Sequence, residues 1–113
     1  MSVRQGTAAE NDAIRFLTKQ GLQLIETNYR TRGGELDLLM WDQHTLVCIE
    51  VKYRRHGRYG YAAEFVTTKK LQRIRAAFER YLLDNGHSPV STAVRIDVIA
   101  IDGGTCQWIK NVV

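Results

Sequence analysis

Residues 35–53, ELDLLMWDQHTLVCIEVKY, hold two apolar, partly β-branched runs, Glu35 to Trp41 and Thr45 to Tyr53, separated by the short polar stretch Asp42, Gln43, His44. Runs of this kind read as strands, and the polar break reads as the turn of a hairpin. Alternate residues of a strand share a face, so Glu35 and Asp37 point one way while Leu36, Leu38 and Met40 point the other; the same rule puts Glu50 and Lys52 together. A two-residue loop at Gln43 and His44 sets Asp37 opposite Glu50 and Glu35 opposite Lys52, with all four on one face. Gln-His lacks the glycine that tight hairpins favour, and a longer loop would shift this register.

Outward from the hairpin the pattern changes period. Ala9, Ala13, Phe16 and Leu17 recur at helical spacing within Thr7 to Gln20, and Gly21 supplies a stop. Leu22 to Tyr29 looks extended, and Arg30 to Gly34 (RTRGG) has the paired glycines of a flexible turn. Beyond the hairpin, Arg54 to Tyr61 (RRHGRYGY) forms a loop, and Thr67 and Thr68 are candidate caps for a second helix running to about Leu83. In that helix Leu71, Ile74, Phe78, Tyr81 and Leu82 make an inward stripe, with Lys69, Arg73 and Arg80 projecting from the other side. Two further strands follow, Val94 to Ile101 and one near Cys106 to Ile109. The order helix, three strands, helix, two strands predicts an α/β fold with one mixed sheet of about five strands flanked by helices. A chain of 113 residues fits one domain.

The chain has no stretch as apolar as a membrane span and no signal-peptide core at its start, so a cytoplasmic protein with no membrane partner is expected. Cys48 and Cys106 lie far apart in apolar runs without CxxC spacing, which argues for reduced core thiols rather than zinc or a redox pair. His44, His56 and His87 sit in predicted turns and loops without metal-ligand spacing. The formal charge is +4, but Lys52 to Arg80 alone carries nine Lys and Arg against Glu64 and Glu79. Clustered cations of this kind gain affinity by displacing counterions from a phosphate backbone, which points to a nucleic acid; a solvated helix face is the plainer account. Within the segment Arg54, Arg55, Arg58, Lys69, Arg73 and Arg80 are candidate phosphate contacts, and Tyr59, with Tyr61, is placed to stack on bases.

The chemistry is expected on the hairpin. Asp37 and Glu50 facing each other across a strand pair repel unless something neutralises them, and a divalent cation does so. Mg²⁺ takes hard oxygen ligands, so Asp37, Glu50 and the Val51 carbonyl suit it. Lys52, two residues beyond Glu50, then offsets charge on a phosphate and orients or helps deprotonate a water. Glu35 is a possible additional acid. Glu10 falls at the edge of the apolar arc of the first helix, where an acid aimed at the sheet needs a partner such as a metal-bound carboxylate cluster. The competing account is a Glu35–Lys52 salt bridge with the other acids solvated. Arg95 and Asp97 share one face of an apolar strand, either as an internal ion pair or as support for the site.

The stretch GELDLLMWDQHTLVCIEVKYR, together with Gly6, Glu10, Asn28-Tyr29-Arg30, Tyr59-Gly60, Lys69 and Arg95-Ile96-Asp97-Val98, resembles the YraN family of predicted endonucleases. That family is placed in the PD-(D/E)XK (restriction-endonuclease-like) superfamily with archaeal Holliday junction resolvases. The resemblance implies a restriction-endonuclease-like fold, Mg²⁺ or Mn²⁺ dependence, DNA as substrate and a possible homodimer. It makes Asp37, Glu50 and Lys52 the catalytic and metal-binding positions and Glu10 the acid of the first helix. Leu36 stands where the superfamily's name has proline, and Ile96 and Tyr59 stand where this family usually carries Phe; none of these removes a ligand. Fold-level likeness alone does not choose the DNA structure. A non-catalytic nucleic-acid-binding module and a subunit docking on an acidic protein are the other two classes of function compatible with the residues.

Overall fold

The hairpin closes on Gln43 and His44, with Asp42 facing Thr45 and Leu38 facing Ile49 in the antiparallel register. Lacking the usual glycine, the turn puts Gln43 itself at φ +56°. The computed structural model in which this is seen describes residues 2–54, 66–102 and 105–112. Its elements in chain order are α1 (Ser2–Lys19), β1 (Gln23–Thr31), β2 (Gly34–Asp42), β3 (Thr45–Arg54), α2 (Thr68–Asp84), β4 (Val94–Asp102) and β5 (Thr105–Ile109). The five strands form one sheet in the order β1-β2-β3-β4-β5. Only β3 and β4 are parallel, because α2 intervenes between them as a crossover. The expected α/β fold with a mixed sheet therefore forms, an open sheet of the restriction-endonuclease-like kind.

The helices cover opposite faces. Ala9, Ala13 and Leu17 of α1 pack with Leu38, Met40, Val47 and Ile49, whereas Ile74, Ala77, Phe78, Tyr81 and Leu82 of α2 pack with Leu39, Leu46, Cys48 and Ile96. Helix α1 ends where Gly21 adopts φ +101° and Leu22 N–H returns to the Leu17 carbonyl, a conformation that suits glycine. Helix α2 begins at Thr67, whose side chain accepts the Lys70 N–H at 3.1 Å.

Two boundaries depart from the sequence reading. Helix α1 begins earlier than Thr7, and β1 continues through Arg30 and Thr31 rather than ending at Tyr29. The turn is confined to Arg32 and Gly33 because Thr31 Oγ1 accepts the N–H groups of Gly33 and Gly34, bonds that a loose loop lacks. Alternation along β2 also slips once: Leu36 joins the α2-side cluster and Leu38 the α1-side one. Alongside, Asn28 of β1 has φ +54°, a conformation Asn tolerates better than most residues.

Candidate active site

Beyond the Leu38–Ile49 pair, β2 and β3 cease to exchange backbone bonds. In place of a carbonyl, the Asp37 carboxylate takes the Val51 N–H, at 2.9 Å to Oδ2. This holds Asp37 beside Glu50, as the predicted register requires, but through a side chain rather than a ladder pair. Central β3 carries Glu50 into the α2 side of the sheet, where only 4% of its surface is exposed. From α2, the Lys70 ammonium lies 2.9 Å from Glu50 Oε2, and the Lys52 ammonium lies 4.0 Å from the same oxygen. Both ammonium groups thus converge on one fully buried carboxylate oxygen, with Lys70 the nearer partner.

The pair divides its charge unequally. Burial, then hydrogen bonding and repulsion from Glu50, push the Asp37 carboxyl up to about 8, with the Glu10 charge adding to the rise. Burial also pushes Glu50 up, but the bonds from Asp37 and Lys70 and the charges of Lys70 and Lys52 outweigh it, and the net direction is down. Lys70 is held above its ordinary value, chiefly by its bond to Glu50. At neutral pH the arrangement is a protonated Asp37 against an ionised Glu50 under two ammonium groups. Burial pushes the nearby Cys48 thiol well up as well, which makes it an inert core group.

The other sequence-derived residues are distributed as follows. Glu10 is on α1 and accepts from Asn28 Nδ2 at 3.1 Å, close enough to act on Asp37 by charge and bonded to Asn28 instead. Glu35 pairs with Arg30 at 2.7 Å and not with Lys52. Among the described residues no third acid, histidine or cysteine joins Asp37 and Glu50 in a ligand group. Lys69 and Arg73 are exposed on α2, while Arg80 is committed to Asp84, which also accepts from the Tyr29 hydroxyl at 2.7 Å. Arg54 closes β3, and Arg55, Arg58 and Tyr59 lie outside the described residues. His87 packs edge-on against Trp41, and His44 is exposed.

Arg95 and Asp97 form the internal pair. Asp97, fully buried, accepts from Arg95 Nε, Trp108 Nε1 and Asn111 N–H, and Arg95 also reaches Asp42 at 3.0 Å. This network fastens the hairpin end to β4, β5 and the segment after them.

Lys70 is the site residue that the sequence reading passed over. It stands one helical turn before Ile74 on the buried stripe of α2, and a lysine at that position needs an acid across the interface.

Fold and site together define an α/β open-sheet protein with a paired-carboxylate, two-lysine centre at the point where two strands part. The chain belongs to the family described as "Uncharacterised protein family UPF0102", whose model matches residues 9–101 and which is the family its resemblance to YraN proteins indicated. It is similar to a UPF0102 protein of Klebsiella pneumoniae subsp. pneumoniae, with 46% identity over 98% of this chain and 87% of the relative. A relative from Herminiimonas arsenicoxydans is 44% identical over 96% of this chain and 85% of its own length. One from Colwellia psychrerythraea is 38% identical over 97% and 88%. No helix of the described residues is long and apolar enough to cross a membrane.

Proposed function

We propose that the protein is a metal-dependent endonuclease of the PD-(D/E)XK type, hydrolysing phosphodiester bonds in DNA, with branched or recombination intermediates among its substrates. The observation that carries this reading is the Asp37–Glu50 pair, two carboxyl groups held together where β2 and β3 part, with Asp37 kept protonated chiefly by burial and then by Glu50. Such a pair has hard oxygens that suit Mg²⁺ or Mn²⁺, and loss of the Asp37 proton on binding would give the ion two carboxylates, so the residues fit the ion. Asp37, Glu50 and the Val51 carbonyl would hold it. When bound, the ion supplies Lewis acidity toward a phosphoryl oxygen and toward water. Lys52 places a positive charge beside the reacting phosphate and orients the attacking water. Asp37 keeps a proton at its carboxyl until a cation offsets Glu50. Lys70 holds Glu50 in position from the α2 side.

One observation favours a second reading, a non-catalytic nucleic-acid-binding module. Lys70 already supplies Glu50 with a counter-charge, so the centre is electrically balanced by the chain itself. Cleavage of single-stranded, duplex, flap and four-way DNA in Mn²⁺ and in EDTA separates the two. The nuclease reading expects Mn²⁺-dependent nicking that Asp37→Ala and Lys52→Ala abolish while retaining DNA binding. Equal nicking by wild type and both variants exposes a contaminant. Binding of every substrate without cleavage supports the module.

A further inference from the structure

The turn between β1 and β2 comes down directly on α2. A Cβ built at Gly34 would stand 3.1 Å from the Arg73 carbonyl oxygen and 3.5 Å from Arg73 Cβ, so glycine allows turn and helix to meet. Between them lies an open cleft of about 530 Å³ lined by Arg30, Arg32, Gly34, Glu35 and Arg73, among others. Its charge is three guanidinium groups against one carboxylate. Glu35 is engaged by Arg30 at 2.7 Å. Arg32 and Arg73 are exposed and form no ion pair among the described residues. The cleft adjoins the carboxylate centre, since Arg73 follows Lys70 by one helical turn and the charge of Glu35 acts on Lys70.

We infer that this cleft takes the sugar-phosphate backbone of a nucleic-acid strand leading to the Glu50–Lys70 centre, with Arg32 and Arg73 gripping phosphates and Arg30 held ready by Glu35. The planar guanidinium fork matches a phosphate through two parallel bonds, and a cleft whose cations are all arginines suits that ligand. The inference adds the β1–β2 turn to the binding surface expected from residues 52–80, and it rests on the nuclease reading only for the direction in which the strand runs.

The test is binding of fluorescein-labelled duplex DNA by anisotropy in EDTA across a salt series, so that affinity is read without cleavage. The double variant Arg32→Ala/Arg73→Ala should weaken binding on the order of tenfold and lower the salt slope by about 2, two phosphate contacts being lost. Arg15→Ala, on α1 across the sheet, should leave both unchanged. Arg32→Lys/Arg73→Lys keeps the charge and should retain the slope with weaker affinity, and it replaces the alanine pair should that pair unfold on heating. An unchanged slope in the alanine variant, an equal loss in Arg15→Ala, or no DNA binding by the wild type overturns the inference. So does displacement of the DNA by polyglutamate at equal charge, which would mark an acidic protein as the ligand. Failure of the nuclease reading shows separately, as binding that follows these expectations without cleavage in Mn²⁺.

Discussion

Lys70, in the first turn of α2, and Glu50, on central β3, form an ion pair at 2.9 Å that joins the helix to the sheet at the point where β2 and β3 part. Glu50 is 4% exposed, but the Lys70 side chain is 43% exposed, so solvent screens the pair from one side. Lys70→Gln leaves Glu50 with only the Lys52 ammonium, at 4.0 Å. We expect a loss of about 1–2 kcal/mol, below the range for a fully buried pair. In urea unfolding Lys69→Gln should be neutral, since Lys69 is exposed. Millimolar Mn²⁺ should raise the Tm of Lys70→Gln more than that of wild type, because the ammonium no longer competes for Oε2. Equal stability of Lys69→Gln and Lys70→Gln would remove the pair from any structural role.

Asp37 gives a pH dependence of definite sign. Its folded value, about 8, lies above the ordinary 3.8, so the folded state binds the proton more tightly. The stability this group contributes is complete below about pH 4 and is lost as pH rises toward 8. Glu50 is shifted down and has the opposite sign, its contribution being lost only on the acid side. Asp37→Asn removes the first dependence. Its Tm relative to wild type should climb between pH 5 and pH 8, with about 1.4 kcal/mol per pH unit as an upper bound. A constant difference across that range would show that Asp37 titrates normally.

The hairpin register was legible where Leu38–Asp42 faces Thr45–Ile49, because a two-residue loop and period-two alternation fix it together there. Asp37 and Glu50 were legible as neighbours for the same reason. What the pattern missed was the change of partner at Asp37, where a side chain replaces the ladder, and the slip between Leu36 and Leu38, since neither leaves a signature in apolar periodicity. Lys70 was hidden because a basic residue on a helix is ordinarily assigned to the solvent face, although its spacing from Ile74 placed it on the buried stripe. Glu10 was expected to find its partner in a metal-bound carboxylate cluster. The partner proved to be Asn28, whose left-handed backbone no strand pattern foretells.

Asp97 should matter for stability rather than for cleavage. It is fully buried and accepts from Arg95, Trp108 and Asn111 N–H, so Asp97→Ala takes a partner from a half-buried guanidinium and a half-buried indole N–H at once. Losing one partner of a buried pair costs about 3–5 kcal/mol. Because Arg95 stays 19% exposed and keeps Asp42 at 3.0 Å, the lower end is expected. The urea midpoint should fall accordingly, and Trp108 fluorescence should shift in the native state. Loss of Mn²⁺-dependent cleavage in protein that remains folded would instead connect Asp97 to the chemistry.

Gln43 offers a change in the opposite direction. With φ +56° it occupies the left-handed region at the first loop position of the hairpin, where a long unbranched side chain gains nothing locally. Asn tolerates that region through local bonds of its short amide. Gln43→Asn should therefore stabilise the fold by about 0.5–1 kcal/mol, the size expected when backbone strain is relieved at an exposed turn. The Tm should rise by a few degrees. Cleavage and DNA affinity should be unaffected, since Gln43 is exposed at the end of the hairpin remote from Asp37. A fall in Tm would mean that the Gln43 side chain makes a stabilising contact, and the strain argument would then fail at this turn.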